Sequence, residues 1–341
     1  MKMAVSPKYI DWKMPRLLLL VLLVFPCLSA WSQYTDVINS NRPGESVSAY
    51  AVGTGVLQLE SGLFYEQQDH SVLDTESGIF GLSLALRYGL LLETLELHYE
   101  GAYQSQDITY NLSGTEERLS DFGRNRLGLK FLVFDPYKDP KRNKPNVYSW
   151  RADNVFQLRN LIPAVSVYAG ANFVLGDNPF YPEDPAFSPR AMIATQSRLT
   201  PRFVLITNIA YDRIGTDYPE WSYLISLTHA FRNPRWSVFV ENQGIDSDRY
   251  SDVLLRSGIA YLLSKNFQAD LLLGASFKNT PSRIFIGAGA SYRLDNHQDK
   301  LKPIEDQDPR LGRNSMSGKG GGKSRKDRKR NRRQEKVEID R

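Results

Sequence analysis

From residue 55 to residue 293 the chain repeats one pattern, and this pattern limits the possible folds more than any other feature of the sequence. In segment after segment, aliphatic and aromatic residues take every second position, and polar residues or glycine fill the positions between them. In 79–89, for example, Phe80, Leu82 and Leu84 share one face, and Ser83 and Arg87 share the other. A period of two predicts β-strands with one apolar face.

The length of these segments favours strands that cross a membrane. No apolar run after Gln33 is long enough for a membrane-spanning helix, so any crossing must be made by strands. Spanning strands need about 9–11 residues, whereas strands of soluble proteins average about 5–6. We therefore predict an all-β fold, a closed antiparallel transmembrane β-barrel of about 12 strands. The strands are expected near 55–66, 79–89, 95–103, 126–133, 164–174, 190–197, 201–212, 221–231, 235–242, 253–263, 267–277 and 283–293.

A soluble β-sandwich would also alternate, with its apolar face forming a core. Aromatic residues near the ends of the segments, on the apolar face, favour the barrel because barrels carry aromatic girdles at both membrane interfaces. The alternative explanation is that aromatic residues are common in all strands. The residues concerned are Tyr65, Tyr88, Tyr103, Tyr211, Trp221, Tyr223, Phe231, Trp236, Phe277 and Tyr292.

The first 32 residues have the pattern of a secretory signal peptide. A basic leader precedes an apolar run at 17–28, and the small residues Ala30 and Ser32 fit a cleavage after residue 32. Cleavage before Cys27, as in a lipoprotein, would need a small residue where Pro26 stands. An uncleaved anchor is a third alternative. Because Cys27 is the single cysteine, the mature chain would have no disulfide.

The connections between segments give an independent indication of orientation. Long polar connections at 69–78, 104–123, 175–189, 213–220 and 243–252 alternate with short ones at 89–92, 198–201, 232–235 and 264–266. With both termini in the periplasm, long extracellular and short periplasmic connections are expected. The exception is 135–163, where helical spacing over 149–161 predicts a short periplasmic helix.

The chain ends in a segment that cannot bury a core. Residues 310–341 contain thirteen basic and four acidic residues, in a chain whose formal net charge is +5. This composition predicts a disordered C-terminal tail. The chain is thus divided into a signal peptide (1–32), an N-terminal periplasmic segment (33–54), an outer-membrane barrel (55–293) and a disordered basic tail (294–341).

Several short motifs resemble one known family. Asn41-Arg42-Pro43, the approach 52–55 and the first-strand sequence 58–62 resemble its opening, and 86–90 followed by Glu96-Leu97 resembles its second hairpin. Residues 208–211 and Glu241 resemble later strands. This is the family of transporter-like outer-membrane barrels called the putative MetA-pathway of phenol degradation. The resemblance covers roughly 40–293 and implies a barrel that passes small hydrophobic molecules. The chain departs from it at Asn41, where Asp is usual, and in the basic tail.

The polar face of the predicted strands carries charges of both signs. They would select permeants in an open lumen, or form ion pairs that brace a narrow barrel. The candidate lumen-lining residues are Glu60, Arg87, Glu96, His98, Glu100, Arg126, Lys130, Arg202, Asp212, Glu241, Arg256, Asp270 and Arg293.

Two histidines are candidates for a metal-binding or catalytic site. His98 lies between Glu96 and Glu100 on one face, but no second histidine or thiolate accompanies it, so we expect neither a metal site nor a cofactor. His229 lies on the apolar face, where an outer-membrane lipid hydrolase would need a serine beside it, and Ser226 and Thr228 face the other way. No catalytic residues are therefore expected, and the chain is predicted not to be an enzyme.

These observations predict an outer-membrane channel or transporter for small, apolar or weakly polar molecules, working by passive diffusion in the bacterial outer membrane. The alternative is a structural or anchoring barrel with a blocked lumen. The expected partners are outer-membrane lipids, a small-molecule permeant, and cell-wall or lipid head groups that contact the tail. Nucleic acid is not expected, because secretion would separate the basic tail from it.

Overall fold

The computed structural model describes residues 35–139, 148–149 and 154–297. The predicted signal peptide and residues 298–341 of the predicted tail lie outside them. The described chain forms twelve strands. They are β1 (Val56–His70), β2 (Thr75–Gly89), β3 (Leu95–Tyr110), β4 (Thr115–Phe134), β5 (Ala164–Phe173), β6 (Phe187–Arg198), β7 (Phe203–Asp212), β8 (Glu220–Ala230), β9 (Trp236–Ser247), β10 (Asp252–Ser264), β11 (Phe267–Ser276) and β12 (Ser282–Asp295).

The strands form one closed barrel in which each pairs antiparallel with its neighbours in sequence. The barrel closes where β1 pairs with β12, with Val56 opposite Asp295 and Asp69 opposite Ser282. Closure satisfies the backbone hydrogen-bonding groups within the wall, as a sheet in hydrocarbon requires. The predicted closed antiparallel barrel of about twelve strands is confirmed.

The outer face of the barrel is apolar. Leucine and isoleucine side chains there are exposed, with 55% of Leu271 and 50% of Ile193 accessible. Aromatic side chains form two belts: Tyr103 packs edge-on against Phe122 at 5.4 Å in the belt far from the termini, and Phe267 against Tyr292 at 6.3 Å near them. An apolar band between aromatic belts is the outer surface of a membrane barrel, and such barrels belong to the bacterial outer membrane.

Replacing an outward leucine at the middle of the band tests this membrane face. Leu271→Arg is expected to lower the free energy of unfolding from lipid vesicles by about 2–4 kcal/mol, because the charge would lie near the bilayer midplane. Leu112→Arg is the matched control: Leu112 is 90% exposed in the turn between β3 and β4. Equal effects of the two substitutions in denaturant titrations would contradict the membrane assignment.

Several strands are longer than the sequence pattern predicts. The predicted loops 69–78 and 104–123 consist mostly of strand, and the true turns are 71–74 and 111–114. Asp74 and Gly114 adopt left-handed backbone conformations in these turns, with φ of 49° and 65°. Beyond the aromatic belt the outward side chains become polar, so alternation disappears while the strand continues. The prediction of long loops there was wrong for this reason.

The connection between β4 and β5 differs in part from the prediction. Its described residues contain two short 3-10 turns, Pro136–Lys138 and Leu158–Leu161. The predicted helix over 149–161 includes residues 150–153, which lie outside the described part, and a 3-10 turn occupies its end. No helix in the described residues is long and apolar enough to span a membrane.

Residues 35–54, here called the lumen segment, precede β1 and lie inside the barrel. The segment starts at the end of the barrel that holds the termini, where the Ile38 N–H donates to the Lys265 carbonyl at 2.8 Å. Val47 packs on inward side chains of three strands, Tyr168, Met192 and Ala210. The N-terminal segment, which the sequence places in the periplasm or as a plug of the barrel, therefore fills part of the lumen.

Candidate functional site

The lumen segment is held by polar side chains of the wall. The Val47 N–H donates to Asn208 Oδ1 at 2.8 Å, and Asn208 Nδ2 donates back to the Val47 carbonyl at 2.9 Å. Ser48 Oγ donates to Gln196 Oε1 at 2.7 Å. The Glu241 carboxylate accepts from the backbone N–H groups of residues 45 and 46, both at 3.2 Å. Wall side chains thus replace the neighbouring strand that an extended backbone would otherwise need.

A buried charge cluster lies at the base of the lumen. Arg87 donates to Glu96 through Nε at 2.9 Å and Nη2 at 3.0 Å, and Lys130 Nζ lies 3.1 Å from the same carboxylate. All three side chains are 0% exposed. The remaining donors reach the lumen segment: Lys130 donates to the carbonyls of Ser48 and Tyr50. The segment therefore completes the solvation of two buried cations.

Arg42 anchors the turn of the lumen segment. Its Nε and Nη2 donate to Asp270 at 3.3 and 3.0 Å, and Nη1 donates to Ser83 Oγ at 3.2 Å. The guanidinium lies against Gly62 of β1 and Gly289 of β12, where any added Cβ would overlap it. Two paired glycines thus make the space that the side chain occupies.

A second polar cluster lies on the other side of the segment. Arg126 and Arg190 both pair with Asp212, which also accepts from Asn172. Arg126 reaches Glu100 at 3.7 Å. A cavity of about 110 Å³ adjoins these groups, so the lumen at this level is only partly filled.

Above the lumen segment the barrel contains a larger cavity, here called the vestibule, of about 770 Å³. Its floor is the turn 42–45, and its walls rise toward the barrel end opposite the termini. Apolar and charged side chains share this lining, and the acidic ones are Glu45 and Glu66. The apolar ones include Phe64, Ile79, Leu272 and Phe285; the basic ones are Arg42, Arg124, Arg249, Arg256, Lys278 and Arg283.

Glu45 is the acidic group on the vestibule floor. Desolvation of the half-exposed carboxyl inside the barrel would raise its pKa, but Arg124, Arg256 and Arg126 outweigh that effect and hold the pKa at about 2. Glu45 is therefore ionised at any pH at which the cell lives, and the floor keeps its ion pair.

The structure places the predicted lumen residues as follows. Twelve of the thirteen lie on inward positions of the wall, at the lumen segment or beside the cavities. They are Glu60, Arg87, Glu96, His98, Glu100, Arg126, Lys130, Asp212, Glu241, Arg256, Asp270 and Arg293. The exception is Arg202, which is exposed in the turn before β7, because that strand starts one residue later, at Phe203.

Sequence reasoning missed four residues that position the lumen segment or pair with charges of the wall. Arg42 and Glu45 lie outside any alternating segment, and Asn208 and Gln196 carry no charge that would have singled them out. The Asn41-Arg42-Pro43 motif was the one available signal, and it indicated family resemblance without indicating a position in the lumen.

The two histidines are both in aromatic surroundings. His98 Nε2 lies 3.5 Å from Glu100, and its ring is edge-on to Tyr168. His229 lies on the outer face between Phe203 and Phe231, at ring distances of 4.3 and 5.5 Å. Within the described residues no group of three or more His, Cys, Asp or Glu side chains is placed to hold a metal ion.

Comparison with known proteins finds one matching family model. A family model described as "Putative MetA-pathway of phenol degradation" matches residues 40–294. No curated protein sequence matches the chain. Among solved structures, the chain is similar to an outer membrane channel from Pseudomonas putida F1, with 11% identity and a TM-score of 0.47 over 75% of this chain and 100% of that one. The NanC porin is 9% identical, with a TM-score of 0.44 over 70% of this chain and 100% of that one. The transport unit of the autotransporter AIDA-I from Escherichia coli is 10% identical, with a TM-score of 0.42 over 76% of this chain and 93% of that one.

Proposed function

Because the chain belongs to the family called Putative MetA-pathway of phenol degradation, we propose that this outer-membrane barrel is a passive channel for small, apolar or weakly polar molecules. The family description supports small aromatic compounds as candidates. Permeants would move by diffusion through the lumen or through a lateral opening, without coupling to an energy source.

The vestibule is the observation that carries the proposal. A cavity of about 770 Å³ falls within the range of small-molecule sites, about 300–1,000 Å³. Its aromatic and aliphatic side chains would contact the apolar body of a permeant, and the polar groups between them would admit water beside it. A barrel that served only as a membrane anchor has no need of such a space.

The lumen segment lies in the path that a permeant would take from the vestibule to the periplasm. It occupies most of the lumen below the vestibule and is hydrogen-bonded to several strands. A permeant that enters the vestibule would cross to the periplasm when this segment shifts. The charged wall residues would then line the opened path, and they brace the barrel while the segment is in place.

The second candidate is a structural barrel with a blocked lumen, and the same segment favours it. Its contacts include charges that are fully buried, such as Glu96, whose carboxylate accepts from the Val52 N–H at 3.0 Å. In this case the basic tail would contribute the function, by contacting cell-wall carboxylates or lipid head groups in the periplasm.

Single-channel recording of the refolded mature chain, residues 33–341, distinguishes the two candidates. Discrete current steps in a planar bilayer are the expected result. A folded, heat-modifiable barrel that gives no current and passes no neutral phenol in a liposome uptake assay would overturn the channel and favour the anchoring barrel.

A further inference from the structure

One ion pair of the lumen segment differs from the rest in its exposure. Arg124 Nη1 donates to Glu45 Oε2 at 2.8 Å, and the two side chains are 38% and 43% exposed. By contrast, Glu96 and Asp270, which also accept hydrogen bonds from the lumen segment, have side chains that are 0% exposed. The Arg124–Glu45 pair is therefore open to exchange with solutes in the vestibule, whereas the others are sealed.

More than one arginine acts on the Glu45 carboxylate. Arg256 lies beside Glu45, because the Glu45 N–H and Arg256 Nη1 donate to the same atom, Glu241 Oε1, at 3.2 and 3.1 Å. The hydrogen bond of Arg256 to its own partner, Glu241, uses Nη1 at 3.1 Å. The floor thus has a cationic seat, formed by the guanidinium groups of Arg124 and Arg256, in which Arg124 already binds one carboxylate.

The acidic partners of the floor arginines lie behind them. Arg42 and Arg256 line the vestibule, whereas their partners Asp270 and Glu241 do not and have side chains that are 0% exposed. At these two pairs the group that faces the cavity is therefore the guanidinium and not the carboxylate. Pairs arranged in this way attract anions, although each pair is neutral when counted as a whole.

Apolar surface lies directly beside the cationic seat. Phe64, Leu272 and Phe285 line the same cavity. The Arg256 guanidinium carbon lies 5.3 Å from the centroid of the Phe285 ring. An aromatic or aliphatic group attached to a carboxylate would therefore find a contact surface next to the charge that holds the carboxylate.

We propose that the vestibule floor is a binding site for small organic monocarboxylates, whose carboxylate binds Arg124 and Arg256 in place of Glu45 while the apolar body lies on Phe64 and Phe285. Glu45 is then a built-in competitor, which leaves the arginines when a permeant arrives. This rests on the proposed channel function for its purpose, but the site can be tested without conduction.

Equilibrium dialysis of radiolabelled benzoate against the refolded chain in a non-ionic detergent, with empty micelles subtracted, tests the site. Glu45→Gln is expected to tighten benzoate binding at least about fivefold, because the internal competitor loses its charge. Arg124→Gln is expected to weaken binding about tenfold, the loss typical of a charge-assisted hydrogen bond. Arg124→Lys keeps the charge and should bind at an intermediate level.

Arg118→Gln is the matched control. Arg118 is on the same strand, pairs with Asp107 at 3.3 Å, and its side chain is 72% exposed; its removal should leave benzoate binding unchanged. All variants are first checked for heat-modifiable migration as folded barrels. The site would be overturned by equal benzoate binding to the wild type, Glu45→Gln and Arg124→Gln, or by stronger binding of benzylammonium than of benzoate. Benzoate binding without current in the bilayer would instead overturn only the channel.

Discussion

Deleting residues 35–50 is expected to raise the single-channel conductance of the barrel by more than about tenfold, because it turns a lumen filled by side chains and backbone into an aqueous one. The lumen segment is the main obstruction below the vestibule, where it packs on Tyr168 and Met192 and bonds to Asn208 and Gln196. The measurement is current in planar bilayers at fixed salt and voltage.

The shortened barrel is expected to fold, since the strand ladders remain and the groups exposed by the deletion gain water. Arg87 and Lys130 would exchange the carbonyls of the segment for water, while both stay paired with Glu96. A deletion of 310–341 serves as the control and should leave the conductance unchanged. If the chain without 35–50 folds and conducts like the wild type, the segment does not close the lumen.

Glu96→Gln is expected to be the most destabilising single substitution in the lumen. The carboxylate faces Arg87 and Lys130, and all three side chains are fully buried. Removing one partner of a buried ionic cluster leaves uncompensated charge and costs about 3–5 kcal/mol. Denaturant unfolding of the barrel in lipid vesicles measures the loss.

The matched control is Asp107→Asn, which removes one carboxylate from an exposed pair. Asp107 lies 3.3 Å from Arg118, and their side chains are 67% and 72% exposed. Exposed pairs contribute about 0–1 kcal/mol. Losses of similar size from Glu96→Gln and Asp107→Asn would mean that water reaches the base of the lumen and that the cluster is not sealed by the segment.

The wall of the barrel could be predicted from the sequence because a strand in a membrane alternates by physical necessity. Leu82 faces lipid and Arg87 faces the lumen, and the pattern continues around twelve strands. The strand ends were less predictable, because above the bilayer both faces meet water. Residues 104–110 and 115–123 carry polar residues on both sides, and only their pairing shows that they are strands.

The contents of the lumen could not be predicted in the same way. The lumen segment has no periodicity, since its backbone is satisfied by scattered side chains such as Asn208 and Glu241 instead of by a neighbouring strand. Its anchor depends on spatial coincidence: Arg42 fits because Gly62 and Gly289 come together across two strands that are far apart in sequence. A single sequence shows each of these residues, but it does not show that they lie together in the folded barrel.

The contacts of the lumen segment also determine where the barrel can and cannot open sideways. The seam between β1 and β12 joins the first and last strands of the barrel, and the lumen segment holds it from the inside by hydrogen bonds. Ser40 shares a hydrogen bond of 2.7 Å with Ser291, 251 residues away, and Arg293 donates to the Thr35 and Asp36 carbonyls at 2.6 and 2.9 Å. Separating the two strands would break these hydrogen bonds as well as the backbone hydrogen bonds between β1 and β12. A lateral opening at this seam is therefore disfavoured, because the seam is protected by more than its own backbone hydrogen bonds.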